Sequence, residues 1–447
     1  MCVEWLWKGD VHYMVQILPF AGWRYDLSQV GALSEVTCPP SALVDEALQR
    51  TLYRQHPCNA VRLVMNRDEP GDTSPTDRSS RASDFWRLWK REGVLLREHE
   101  SAFYIIETSY QFASETRSRW SVIARLRLPD SSARTADIVS VVAGESQRAA
   151  ELAELRRVCK ASLIPVVALL EDTTGADSDD RSLSDHFETL VRQMPPIECI
   201  EDDGTRHRMW PMTHQTGRTE LASRIANLTA FVVSGMNEYL AAISNRERNI
   251  AEDPNDPSQT TLVCLIPADD PGLEILPQMW LHPASTVLSG EQLRQLLSHE
   301  LICHFVGTEP AAGEDATELA RLSSQQPCVA VGTCDGVWMI VSRAAVLEDR
   351  SSNSLVKQIS RLVSEQTSVP DRLVCQRGTL SGNGLAGFLN RLLHSKAGGL
   401  VIVEPAMNAA TLIAGAMSGH TFPEESVQVH PYVPSGLVFS SISHSQP

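Results

Sequence analysis

Two segments of the sequence hold residue types at spacings known from metal and cofactor sites. The first is the string HELICH at residues 299–304, which groups a glutamate and two histidines as zinc-protease helices do. Such a helix needs histidines four residues apart, so that both face one metal, whereas His299 and His304 are five apart, about 140° around a helix. The segment therefore predicts part of an amphipathic helix over 290–304, and we expect no metal site.

The second segment is GNGLAG at 382–387, which has the glycine spacing of dinucleotide-binding loops. Glu404 stands near the place of a ribose-binding acid. However, the preceding apolar run at 373–375 ends too early, because the first glycine of such a loop lies directly at a strand end. We interpret the segment as a glycine-rich loop that caps a helix, and whether it contacts a ligand stays open.

Composition limits the partners and the compartment. The chain has 447 residues, with 39 Lys and Arg against 55 Asp and Glu, and a formal net charge of −16. A negative mean field repels phosphate, so we expect neither a nucleic acid nor a membrane surface as partner. The ten cysteines form no Cys-x-x-Cys pair, and no secretory leader is recognisable. The sequence therefore predicts a cytoplasmic protein with reduced thiols.

The elements that must position any site are a mixture of strands and helices. The stretch 120–128 alternates apolar residues with Arg125 and Arg127, which predicts a half-buried strand. Further strands are predicted at 103–110, 163–170, 231–233, 261–266 and 400–403. Helices are predicted at 42–55, 84–92, 146–160, 183–194, 218–227, 290–304, 354–364 and 385–394. The predicted fold class is mixed α/β.

Polar stretches without periodicity predict the loops and one boundary. They lie at 66–83, 171–181, 248–259 and 307–315. The third contains Pro254 and Pro257, which cannot continue a helix. We therefore predict two regions, 11–250 and 260–443.

An ordered series of short motifs runs along the chain. It comprises LPFAGWRYD at 18–26, CPP at 38–40, NAVRL at 59–63, HRMW at 207–210, GLEILP at 272–277 and PSGLV at 434–438. In order and spacing the series resembles the bacterial and archaeal family called domain of unknown function 1015. That family is related to free-serine kinases and, more remotely, to ParB and sulfiredoxin. The resemblance implies a ParB/sulfiredoxin-like N-terminal region, a mixed α/β C-terminal region, and a phosphate-handling polar loop at a strand–helix junction.

The polar residues of the family's motifs are mostly replaced in this chain. Its phosphate motif, Asp-Gly-His-His-Arg-Tyr, corresponds to Ser234-Gly235-Met236-Asn237-Glu238-Tyr239, which keeps only the glycine and the tyrosine. A carboxylate at Glu238 repels the phosphate that the family's guanidinium attracts. The other changed motifs are Ser41 and Ala42 for Tyr-Asp, Gly144-Glu145-Ser146-Gln147 for His-Glu-x-Thr, Gln278-Met279-Trp280 for Thr-His-Arg, and Glu425 and Tyr432 for two lysines. Of these polar residues the chain keeps only Glu145.

Because the losses are confined to polar positions, they favour the interpretation that the chain keeps the fold of the family but not its ancestral chemistry. We therefore expect a catalytically degenerate binding or regulatory protein, whose partner is an unknown small molecule or protein. In this reading the remnant of the phosphate site is Ser234, Gly235, Asn237, Tyr239 and Arg24.

Two alternatives stay open. In the first alternative, the chain is an altered phosphotransferase that uses ADP or ATP with Mg. Glu145 and Glu238 would then supply the general base or metal ligands, and Arg24 would donate hydrogen bonds to phosphate. This alternative requires Glu145, Ser234, Asn237 and Glu238 to converge on one cavity. Otherwise it is an interaction module anchored by tryptophans at 5, 7, 23, 86, 89, 210 and 280, although core packing is the commoner role of that residue.

Overall fold

The computed structural model covers most of the chain. It describes residues 15–112, 115–129, 138–173, 182–249, 251, 253, 255–276, 279–282, 289–307, 328–332, 338–342, 352–367, 374–376, 400–404, 407–423 and 427–443. The predicted helix at 385–394, the glycine-rich segment 382–387 and Glu425 lie outside these residues. No helix among them is both long enough and apolar enough to cross a membrane.

Helices and strands are mixed along the chain, which confirms the predicted α/β class. The helices are α1 (Leu27–Val30), α2 (Leu33–Val36), α3 (Glu46–Gln55), α4 (Val61–Val64), α5 (Pro75–Arg91), α6 (Ser146–Cys159), α7 (Leu183–Val191), α8 (Gln215–Ala226), α9 (Met236–Arg248), α10 (Gly290–Ser298), α11 (Ser352–Thr367) and α12 (Ala409–Met417). Short 3-10 turns lie at Ser41–Leu43 and Pro257–Gln259.

The strands form two large sheets and several short pairs. They are β1 (Ile17–Leu18), β2 (Trp23–Tyr25), β3 (Leu95–Arg97), β4 (Phe103–Phe112), β5 (Glu115–Arg127), β6 (Ile138–Ser140), β7 (Val142–Ala143), β8 (Ala161–Ser162), β9 (Val166–Glu171), β10 (Ile197–Ile200), β11 (Arg206–Met212), β12 (Thr229–Ser234), β13 (Thr260–Pro267), β14 (Glu274–Leu276), β15 (Met279–His282), β16 (Ile302–Gly307), β17 (Cys328–Gly332), β18 (Trp338–Ser342), β19 (Val374–Gln376), β20 (Leu400–Val403), β21 (Phe422–Pro423), β22 (Gln428–His430) and β23 (Ser440–Ser441).

The first sheet has the order β10-β11-β4-β5-β13-β9-β12-β6, and β1 pairs with β5. Apolar cores cover both of its faces: Val122 and Leu126 of β5 pack in one, and Ile123 packs in the other. The strand predicted at 120–128 is present with its apolar face in a core, but Ile123 on the opposite face is buried as well, so that face is partly exposed only towards Arg125 and Arg127. Arg125 is accommodated because its guanidinium donates to Ser440 Oγ at 2.8 Å.

The second sheet has the order β16-β18-β17-β20-β15-β19, and all its pairs are antiparallel. A separate core, made by α10, α11 and the sheet, contains Trp280, Leu297 and Ile359. β13 follows the predicted boundary near residue 255, yet it pairs with β5 and β9 in the first sheet. The boundary does not separate the two sheets, and the division into 11–250 and 260–443 stays a prediction.

The end of the chain returns to its beginning. β21, β22 and β23 pair with β7, β14 and β8, and isolated bridges join Cys38 to Ser435 and Trp23 to Phe439. The C-terminal return, residues 427–443, therefore pairs with β8, Cys38 and Trp23 in the first half of the chain and with β14 in the second half.

Two helix boundaries differ most from the prediction. α5 begins at Pro75, inside the stretch 66–83 predicted as a loop, because Ser74 and Asp77 form a capping box and the proline fits the first helical position. α10 ends at Ser298, and the chain then enters β16, which pairs with β18. The helix predicted over 290–304 was therefore wrong in its last turn, and the HELICH segment leads from a helix end into a strand.

Candidate functional site

The junction between β12 and α9 is built on Gly235. Its φ is +79°, in the left-handed region that L side chains rarely adopt, and a Cβ there would lie 3.1 Å from Val166 Cα. The turn lets α9 begin at once with Met236, directly behind the end of the strand at Ser234. The predicted strand–helix junction is therefore present, with the helix N-terminus at the strand end.

A second segment docks onto this helix. The backbone N–H of Glu145 donates to Asn237 Oδ1 at 2.6 Å. Gly144 permits this approach, because a Cβ at that position would lie 2.6 Å from Leu240 Cδ1 and 3.2 Å from Asn237 Oδ1. Two motifs that are far apart in the sequence thus form one continuous surface.

A cavity of about 830 Å³ opens against that surface. Glu145, Ser234, Gly235, Asn237 and Glu238 all line it, so the convergence that the altered-enzyme alternative requires is present. Its other walls include parts of 40–49, 63–68, 75–79, the side of α6, and 427–435. Met236 and Leu240 are absent from the lining, so the α9 N-terminus is open to the cavity.

The ionised side chains on the cavity wall carry an excess of negative charge. Among the described residues on the wall, the acidic ones are Glu46, Asp68, Glu145, Glu151 and Glu238, and the basic ones are Arg67, Arg78 and Arg148. Each arginine has a carboxylate partner: Arg67–Glu69 at 2.7 Å, Arg78–Asp68 at 3.4 Å and Arg148–Glu151 at 3.2 Å. The positive charges of these three arginines are therefore already neutralised by carboxylates of the protein.

Glu238 occupies the first turn of α9. Its Oε2 lies 3.5 Å from the position that a Cβ would take on Gly235. The positive end of the helix dipole favours an anion at that place. A carboxylate of the protein itself consequently lies where an incoming phosphate would be expected to bind.

Tyr432 stands on the C-terminal wall and is held by a buried polar chain. Its hydroxyl donates to Glu201 Oε2 at 2.6 Å, while His207 Nε2 lies 3.3 Å from Glu201 Oε1. The other ring nitrogen of His207 lies 3.0 Å from Thr108 Oγ1. Burial and the Glu201 carboxylate raise the pKa of Tyr432 far above its usual range, so the hydroxyl remains the donor.

Sequence reasoning missed Glu201 and His207 as supports of the cavity. His207 belongs to the HRMW motif, which was recognised without a role, and Glu201 lies on the turn before β11. The motif itself was the sequence signal, because Glu201 and Tyr432 are 231 residues apart and no local pattern connects them.

Ser435 is another cavity residue from the C-terminal return. It is only 1% exposed, and its Oγ has no hydrogen-bond partner among the described residues. Backbone hydrogen bonds in both directions, of 2.9 and 3.0 Å, fix it to Cys38. The hydroxyl is therefore held in place with its hydrogen-bonding capacity unused.

Two residues assigned to the phosphate-site remnant lie outside the cavity wall. Tyr239 is buried in the core under the first sheet, and burial raises its pKa to about 12. Arg24 forms an ion pair with Glu98. The structure brings neither side chain to the cavity, so any role in ligand contact stays a prediction.

The remaining sequence candidates are weaker. Among the described residues, no three His, Cys, Asp or Glu side chains are placed to share a metal ion. Four of the candidate anchor tryptophans are buried in the cores: Trp86, Trp89, Trp210 and Trp280. The tryptophans at 5 and 7 lie outside the described residues.

The family follows from comparison with known sequences. A family model described as "Protein of unknown function (DUF1015)" matches residues 17–333. The chain belongs to the DUF1015 family. The resemblance inferred from the ordered motifs is thereby confirmed, while the ParB/sulfiredoxin-like character of the N-terminal region stays a prediction. No curated protein matches the chain.

Solved structures similar to this DUF1015 chain share little sequence with it. A conserved hypothetical protein from Pyrococcus furiosus is 10% identical, with a TM-score of 0.33 over 67% of this chain and 90% of that one. A free serine kinase in complex with AMP is 7% identical, with a TM-score of 0.33 over 67% and 89%. SbnI with a C-terminal truncation, from Staphylococcus aureus, is 10% identical, with a TM-score of 0.30 over 67% and 82%.

Proposed function

We propose that this DUF1015 protein is a binding or regulatory protein that holds a small molecule in the cavity at the α9 N-terminus and does not transfer phosphate. The observation that carries the proposal is the charge of the wall, where each of the three arginines is paired with a carboxylate. Recognition of phosphate relies on guanidinium, ammonium and backbone N–H donors that are free to bind it. Here the guanidinium donors already serve the protein's own acids.

The position of Glu238 supports the same conclusion. A phosphate at the α9 N-terminus would lie close to the Glu238 carboxylate, which stands near Gly235. Two like charges about 4 Å apart near a protein surface repel by about 4 kcal/mol. A neutral or cationic ligand avoids this repulsion.

Calorimetric titration with ADP, ATP and serine, each with and without Mg, tests the proposal. We expect no binding of either nucleotide at micromolar concentrations. Tight Mg-nucleotide binding together with formation of phosphoserine would overturn the proposal. The variant Glu238→Arg is expected to strengthen ADP binding by about 10-fold or more, because it replaces repulsion by attraction. Glu154→Arg on α6, outside the cavity wall, is the matched control and is expected to have no effect.

A phosphotransferase with altered site residues is the second candidate, with ADP or ATP and Mg as cofactors. The convergence of Glu145, Ser234, Asn237 and Glu238 on one cavity favours it. In this case Glu145 is the general base, since it lines the cavity and is exposed. Mass spectrometry would then detect phosphoserine with the wild-type protein, and Glu145→Gln would abolish it while Glu154→Gln would not.

A further inference from the structure

We infer that the ligand of this cavity carries a protonated amine on an apolar body. The inference rests on the proposed small-molecule binding and specifies the class of ligand. It follows from three properties of the wall: its net charge, its apolar surface and a buried hydroxyl without a partner.

The net charge of the wall is the first property. In the part of the chain that the structure describes, five carboxylates and three guanidiniums line the cavity. Glu145, which is exposed, is a partner in none of the ion pairs found between described residues. A cationic group on the ligand would balance this charge.

The apolar surface is the second property. Leu152 and Leu155 of α6 line the cavity together with Leu63 of α4 and with Val429 and Val433 of the C-terminal return. These apolar side chains cannot hydrogen-bond a charged group of a ligand. Burying hydrocarbon of the ligand against them is favourable, because it removes apolar surface from water. A cavity of about 830 Å³ is in the size range of sites for drug-sized ligands. The charge is therefore expected on one end of an otherwise apolar molecule.

Ser435 supplies the third property. Its buried hydroxyl has no partner among the described residues, although buried hydroxyls in proteins usually have one. An N–H group on a ligand in this cavity provides the missing donor to Oγ. The site thus offers an amine both a carboxylate and a neutral acceptor.

A metal ion fits the same wall less well. Metal sites built from protein oxygens use several ligands around one point. In the part of the chain that the structure describes, no three acidic, histidine or cysteine side chains are grouped in this way. A single ammonium group requires only one carboxylate and one or two further acceptors.

The test compares three probes with the same six-carbon chain: n-hexylamine, hexan-1-ol and hexanoate. Calorimetric titration into the full chain is expected to show hexylamine binding at least about 10-fold more tightly than the other two, because a hydrogen bond to a charged group contributes about 1.5–3 kcal/mol. Glu145→Gln is expected to weaken hexylamine binding by about 10-fold and to leave hexan-1-ol binding unchanged. Glu154→Gln, outside the wall, is expected to change neither.

Hexylamine binding no tighter than that of hexan-1-ol, or no binding of hexylamine at all, overturns the inference. Equal weakening of hexylamine by Glu145→Gln and Glu154→Gln also overturns it, because the effect would then be one of general charge. Binding of hexan-1-ol or hexanoate but not of hexylamine would overturn the inference that the ligand carries an amine, and would leave the proposed small-molecule binding standing. Mg-nucleotide binding with phosphoserine formation would instead remove the proposed function itself.

Discussion

Asn237 joins two chain segments into one wall of the cavity. It is only 7% exposed, and its Oδ1 accepts the backbone N–H of Glu145 at 2.6 Å. The short Asn237 side chain can reach the Glu145 N–H because the chain passes close to α9 at Gly144. The position of Glu145 at the cavity therefore depends on one side chain of a different element.

Replacing Asn237 by alanine is expected to lower the free energy of unfolding by about 1–3 kcal/mol, because the Glu145 N–H then loses its acceptor. Urea denaturation of the wild type and the variant measures the difference. Asn227→Ala, at the exposed end of α8, is the control and should change the free energy by less than about 0.5 kcal/mol. An equal effect of the two changes would show that the Asn237 amide has no such role.

At this scale the sequence predicted the junction residues and missed their supports. Ser234, Gly235, Asn237, Glu238 and Glu145 could be found because short ordered motifs mark them, and all five line the cavity. The partners that hold Tyr432 could not be found in this way. Glu201 and Tyr432 are 231 residues apart in the sequence, and no local pattern records a contact over such a separation.

Among the elements, β22 is the one whose environment makes it sensitive to protons. Its last residue, His430, packs edge-on against Tyr110 with ring centroids 5.0 Å apart and is 8% exposed. Burial, together with the nearby Arg119 cation, lowers the pKa of His430 to about 4. The same short strand carries Gln428 and Val429 on the cavity wall.

The free energy of unfolding is therefore expected to decrease as the pH is lowered from about 6.5 to about 4. In this window the unfolded chain binds a proton at His430 and the folded chain does not, so lowering the pH favours unfolding, by about 3 kcal/mol in all. Urea denaturation at several pH values measures the slope. His430→Gln should reduce the slope, whereas exposed His99→Gln should not. Equal slopes in all three proteins would contradict the expectation.

Element types were better predicted than element ends. The central strands and most helices followed from hydrophobic periodicity, because that pattern reflects which side faces a core. α5 was predicted too short, since a polar first half hid a helix start that Ser74 and Asp77 define. α10 was predicted too long, since the apolar residues after Ser298 continue the pattern of a helix while pairing as β16.

For the molecule as a whole, the C-terminal return is the feature that closes the fold. Phe439 is fully buried, with its ring centroid 5.5 Å from that of Trp86 and 6.0 Å from that of Tyr25. Its backbone exchanges two hydrogen bonds of 2.9 Å with Trp23. The last described residues thus complete the core of the first sheet.

Phe439→Ala is expected to lower the free energy of unfolding by about 3–5 kcal/mol, because it removes a large ring from a closed core. Urea denaturation gives the value. Leu27→Ala removes a side chain that is 42% exposed and should cost less than about 1 kcal/mol. A similar small loss for both variants would show that the C-terminal return is not part of the core.

This closure also sets an order of events when the chain is made. Glu145 and the α9 N-terminus leave the ribosome early, but Tyr432 and Ser435 are the last cavity residues to be synthesised. At about 5–20 residues per second, the interval from Glu238 to Tyr432 lasts about 10 to 40 s. Throughout that time the apolar residues of α6 that line the cavity, and the core around Trp86, are not covered by the C-terminal return. The nascent protein therefore offers a binding surface to chaperones well before it offers one to its ligand.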